Sequence, residues 1–121
     1  APIIHNAASA EDWNRFDSLA AVYVANMCHI SPFEATQGLF QGAGVALRKG
    51  GLLLVYGPFK TQGEFTSEGN LAFDGSLRAR DSGWGLRDVE GDLAPLAEMG
   101  GLELTKRVDM PANNFLLIYE K

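Results

Sequence analysis

A chain of 121 residues, 46% hydrophobic and 21% charged, has the size and balance of one globular domain with one core. Its net charge of -5 opposes nucleic-acid binding, because the only arginine cluster, Arg78, Arg80 and Arg87, is interleaved with Asp74, Asp81 and Asp88. One cysteine, Cys28, excludes an internal disulfide and a cysteine zinc set, and no long apolar run or charged-then-apolar leader marks a membrane span or a signal peptide, so the cytoplasm is the expected compartment.

The stretch "PIIHNAA" (2–8) begins as a short strand, and in "SAEDW" Ser9 and Asp12 have near-capping-box spacing for a brief helical turn. "LAAVYVANM" (19–27) is almost continuously apolar and rich in β-branched and aromatic residues, the pattern of an inner strand covered on both faces. In "SPFE" Ser31 is the expected N-cap, Pro32 the first helical residue and Glu34 the far side of a capping box. Phe33, Thr36, Phe40, Ala43 and Leu47 then recur at helical spacing, and Gly50-Gly51 is the expected stop. "LLLVY" (52–56) reads as a buried strand, so strand, helix and strand make a right-handed parallel crossover with both strand ends on one rim.

"GPFKTQGEFTSEGN" is a long loop, followed by a helix over 70–80 with Phe73 and Leu77 on one side, which "DSGWG" breaks. Asp88 caps a further helix carrying Val89, Leu93, Leu96 and Ala97 and ending at Gly100-Gly101. "LELTKRV" (102–108) and "NFLLIYE" (114–120) complete the order as an antiparallel pair. The class is α/β, with a mostly parallel sheet, an antiparallel last strand and helices on the faces.

The "GAG" of Gly42–Gly44 is not a dinucleotide fingerprint, because Leu47 stands at the third glycine position and the motif lies inside a helix; these glycines read as close-packing positions. Ser31 is committed as a cap and the chain has two histidines, so a hydrolytic triad is not supported, and Cys28 reads as a small buried hydrophobe. Asn26 and His29 lie where open α/β sheets bind ligands, although both also fit an ordinary loop. Tyr56 and Phe59 end the neighbouring strand and either wall a pocket or fill core. Trp84, Arg87 and Asp88 read as a structural knot with a packed indole and a paired arginine, the alternative being an edge of the substrate pocket.

Three long segments, "ANMCHISPFEATQGLFQGAG", "GGLLLVYGPFKTQGEFTSEGNLAFDGSLRARDSGWGLRD" and "VDMPANNFLLIYEK", resemble in order the C-terminal portion of a family of S-adenosylmethionine-dependent methyltransferase-like proteins. It is the domain-of-unknown-function family that includes methyltransferase-like protein 26. The resemblance implies part of a Rossmann-like class I methyltransferase sheet, of strand order 3-2-1-4-5-7-6. Residues 2–6 would correspond to the third strand, 19–27 to the fourth, 52–56 to the fifth, 102–108 to the sixth and 114–120 to the seventh. The family's first strand and glycine-rich loop, which hold the cofactor S-adenosylmethionine, are expected to precede this region. Asn6 stands where relatives often have aspartate, and Ala20 where an acidic residue is common.

The resemblance thus implies a single truncated domain, 1–121, that retains a substrate-side rim of Asn26, Met27, His29, Tyr56, Pro58, Phe59 and Asn113. The candidate cofactor-side residues are Asn6, Asp12 and Trp13, tight cofactor binding by this chain alone is not expected, and no metal is implied. Little or no transferase activity is expected from it. The alternatives are a small-molecule methyltransferase completed by another chain and a non-enzymatic dimeric ligand-binding module. Without its first-strand neighbour, strand 20–27 would expose an edge, covered either by residues 2–6 or by the same strand of a second copy, and a homodimer is the expectation.

Overall fold

The computed structural model describes Trp13 and residues 16–121. Residues 2–6 as a strand, the turn at 9–12, Asn6 and Asp12 lie outside the described residues.

Four strands form one sheet in the order β1-β2-β4-β3: β1 Leu19–Ala25, β2 Leu47–Gly57, β3 Glu103–Met110 and β4 Asn114–Glu120. β1 pairs parallel with β2 through the crossover helix α1, Phe33–Ala46, while β4 runs antiparallel to both β2 and β3. Three strands therefore share one direction and the last opposes them, matching the expected 4-5-7-6 portion of the methyltransferase order. Helix α2, Glu68–Arg80, is capped by the Ser67 hydroxyl, which accepts from the Asn70 amide at 3.0 Å. A π-helical turn over Val89–Leu93 leads into α3, Ala94–Met99, and Asp88 caps that turn by accepting from the Gly91 amide at 2.9 Å.

The core lies between the sheet and α1 with α3. Alternation along the strands puts Leu53 and Val55 of β2 and Leu117 and Tyr119 of β4 on the helix side, where they meet Phe40, Leu39, Ala43 and Leu93. Phe40 and Tyr119 cross edge-to-face at 5.0 Å between ring centroids. The α1 glycines are packing positions, as their sequence context suggests: a Cβ at Gly42 would run into the Trp13 indole, and one at Gly44 into the Gly100 carbonyl. α1 and α3 approach closely for that reason.

The inner-strand expectation for 19–27 is not met among the described residues. Of the described strands β2 alone pairs with β1, and Ala21, Tyr23 and Ala25 are exposed, Tyr23 to 63%. Apolar composition records what the strand can bury, not how many neighbours reach it. Ser31 is not the helix cap either: its hydroxyl donates to the Met27 carbonyl at 2.7 Å, and Pro32, in extended conformation, precedes the first helical residue. Gly50-Gly51 does not stop α1, which ends at Ala46 where Leu47 turns extended, so Leu47 belongs to β2. The glycines instead let β2 pass β1 and the C-terminus, since a Cβ at Gly51 would lie 2.9 Å from the Leu19 carbonyl oxygen, and the Gly50 amide donates to Lys121 at 2.7 Å. Phe73 and Leu77 also separate: Leu77 is buried while Phe73 stays 38% exposed.

Candidate functional site: the rim at the strand ends

Register places the candidate residues on one rim. Ala25 pairs with Tyr56, Gly57 with Phe115, and Met110 with Asn114, so the C-terminal ends of β1, β2 and β3 meet the start of β4. Asn26 follows β1 in the left-handed region at φ 55°, which asparagine tolerates, and its amide donates to the Tyr56 carbonyl at 2.9 Å. Asn113, at φ 57° in the short 3-10 turn Pro111–Asn113, is exposed, and its carbonyl accepts from Asn70 Nδ2 at 3.3 Å. The Tyr56 hydroxyl accepts from Asn114 Nδ2 at 3.2 Å. α2 is tied to this rim at two points, by Asn70 and by the Phe73 ring.

Arg87 organises the turn after β1. Its Nε donates to the Cys28 carbonyl at 3.1 Å, its Nη2 to Ser31 at 3.0 Å and Gly83 at 2.8 Å, and the guanidinium lies over the Phe33 ring at 5.1 Å. The arginine is thus held by carbonyls and an aromatic face rather than by a carboxylate partner. Asp74 completes the strap, accepting from the Leu86 amide at 2.8 Å and from Arg78 Nε at 2.9 Å. Gly85 fits because it has no side chain: at φ 147° its amide reaches the His29 carbonyl at 3.0 Å, and a Cβ would stand 3.0 Å from Asp74 Oδ1. Trp84 is half-buried beneath Arg80, 5.4 Å from its ring centroid, and Asp88 caps and accepts from the Gly63 amide at 3.0 Å. The expected knot is thus present in a different form: Trp84 is only half-buried, and Arg87 is held by the Cys28, Ser31 and Gly83 carbonyls.

His29 sits under this strap, 4% exposed, with the Phe73 ring against it at 5.6 Å and 61°. Its Nδ1 is buried without a hydrogen-bond partner. Burial, assisted by the nearby Arg87 charge, lowers its pKa below 6.5, so the imidazole is neutral at neutral pH. Cys28 is pushed the other way, to about 11, by burial, which outweighs the Thr36 hydroxyl and the Arg87 charge; it is a thiol and no nucleophile.

The rim therefore brings together Asn26, Met27, His29, Tyr56, Pro58 and Asn113, with Met27 and Tyr56 half-buried and Pro58 buried. Phe59 does not join them as a wall: at 1% exposure it is core. Trp13 is buried against Gly42 in the flank of α1, not at the strand ends. Sequence reasoning passed over Asn70, Phe73 and Asn114 as rim groups; the cap spacing of Ser67 to Asn70 was the one local signal available. Among the described residues no set of three metal-ligating side chains occurs, and no helix is long and apolar enough to cross a membrane.

Over residues 1–121 the chain matches the family described as "Protein of unknown function (DUF938)". The chain belongs to this family. Its fold is also that of solved methyltransferases. An O-methyltransferase family protein from Burkholderia thailandensis superposes with a TM-score of 0.79 at 15% identity, over 98% of this chain and 35% of that one. An O-methyltransferase family 2 protein from Planctomyces limnophilus, solved with apigenin, gives 0.73 at 16% identity over 88% and 32%. CalO1, a methyltransferase in calicheamicin biosynthesis solved in its SAH-bound form, gives 0.70 at 15% over 90% and 32%. This DUF938 chain thus has a Rossmann-like methyltransferase fold and spans about a third of the length of the solved chains it matches.

Of the candidate cofactor-side residues, Trp13 is buried against Gly42 in the flank of α1, while Asn6 and Asp12 lie outside the described residues; from Ser18 to His29 there is no carboxylate and no glycine, Asp17 being the acidic side chain just before that stretch.

Proposed function

We propose that this chain supplies the acceptor-side rim of a methyltransferase-like domain, transfers little or no methyl group by itself, and associates with a second copy along the outer edge of β1. One observation carries the reading: among the described residues β1 is paired on one side only, by β2. Its sequence, LAAVYVA, has no charge and no proline, the devices by which edge strands avoid pairing. A two-fold axis through Val22 would set Ala21 opposite the second copy's Tyr23 and Ala20 opposite Val24, keeping core-facing residues together across the join.

At the rim, Asn26, Met27, Tyr56, Pro58 and Asn113 would surround a small-molecule acceptor. Neutral His29 would orient, or accept a proton from, its hydroxyl or amine. The SAH-bound neighbour supports S-adenosylmethionine as the family's methyl donor. The lone buried thiol suits a reducing compartment, and we place the chain in the cytoplasm. Calorimetric titration of S-adenosylmethionine into this chain tests the donor side: no saturable heat at micromolar concentrations is expected, and micromolar binding by an isolated copy overturns the reading.

The coverage of only a third of the matched chains favours a second reading, a small-molecule methyltransferase whose donor-holding strands come from further polypeptide. In that case a family N-terminal portion added in trans confers donor binding.

A further inference from the structure

His29 carries a buried Nδ1 with no hydrogen-bond partner among the described residues. A buried polar atom left unpaired is costly, and contact with water or a ligand recovers that cost. The Phe73 ring of α2 packs edge-on against the imidazole, 5.6 Å between centroids, and is itself 38% exposed, so on that side one ring stands between His29 and solvent.

The helix that carries Phe73 is weakly held. Of Leu71, Phe73 and Leu77 only Leu77 is buried, and the other buried residues of α2, Asn70 and Asp74, are polar. They tie it by hydrogen bonds: Asn70 Nδ2 donates to the Asn113 carbonyl at 3.3 Å, and the Leu86 amide donates to Asp74 at 2.8 Å. By contrast α1 buries Leu39, Phe40, Ala43 and Ala46. α2 also contains Gly69 and Gly75, where an added Cβ would meet only the Ser67 hydroxyl at 3.8 Å or nothing at all. Packing does not call for glycine there as it does at Gly42 and Gly44, yet each glycine weakens the helix. Elements with few buried apolar contacts open locally at low free energy, and lids are drawn from them.

We propose that α2 is a lid on His29: it opens as one unit, lifting Phe73 from the imidazole, while the sheet and α1 stay folded. Its role as the acceptor's way in rests on the rim reading above, but the motion itself requires no methyl donor.

Native-state hydrogen exchange of the whole chain, followed by NMR, tests the opening. Amides 72–80 are expected to share one opening constant, about 100-fold or more larger than that of amides 39–46 in α1. Modification of His29 by diethyl pyrocarbonate, read by peptide mass spectrometry, should follow the same opening. Gly75→Ala should slow both by up to about fivefold, the scale of one glycine-to-alanine change inside a helix. Phe73→Ala should speed the modification of His29 and leave the exchange of 39–46 unchanged. Exchange of 72–80 no faster than that of 39–46, or a modification rate that neither variant moves, would overturn the proposal. A donor titration that overturns the rim reading leaves these measurements untouched, so the two fail separately.

Discussion

Phe59 and His29 are neighbours in the sequence-level reading of the rim, yet the structure gives them opposite tasks. Phe59 is sealed in the core, so Phe59→Ala should cost about 3–5 kcal/mol in denaturant unfolding. A loss below about 1 kcal/mol would return the ring to the rim. His29 is buried neutral, with a pKa below the 6.5 of the unfolded chain. Between those two values the unfolded state binds the extra proton, so stability is full above pH 6.5 and falls as pH drops below it. His29→Phe should flatten that fall relative to the parent, and because the variant retains His5, the difference between the two curves isolates His29. Identical acid profiles would contradict the burial of a neutral imidazole.

Among the elements, α1 and α3 meet at Gly44 and Gly100, where a Cβ on Gly44 has no room before the Gly100 carbonyl. Gly44→Ala should therefore destabilise by about 1–3 kcal/mol, the range for overpacking a fitted contact. Gly75, inside α2, has no atom within 4 Å of an added Cβ, so Gly75→Ala should stabilise by up to about 1 kcal/mol. Opposite signs from two glycine-to-alanine changes in helices, read by thermal melts, check the packing rather than the propensity. These elements also show what was legible. α2, the Asp88 cap and the antiparallel β3–β4 pair were readable because caps and alternation are local. Arg87 was not, since its carbonyl partners at Cys28 and Ser31 lie 59 and 56 positions away in sequence. Ser31 misled because proline after it fixes an extended entry, freeing the hydroxyl to fold back on Met27.

For the whole molecule, strand direction and order follow from the crossover and the hairpin, and they agree with solved methyltransferases at identities near 15%. Whether Leu19–Ala25 is inner or marginal was not legible, because its composition fits both and only a neighbouring strand decides. Asn26, His29 and Tyr56 lie at the strand ends, as the crossover implies, but the burial of Phe59 and the covering of His29 by Phe73 and the Arg87 strap come from parts of the chain distant in sequence. The proposed association needs the edge of β1 that no described strand pairs. Sedimentation equilibrium of the chain at micromolar concentration, alongside Tyr23→Lys, which places a charge on that exposed strand, tests it directly. A dimer that the lysine variant dissociates without loss of circular-dichroism signal is predicted; a parent chain that stays monomeric throughout would contradict it.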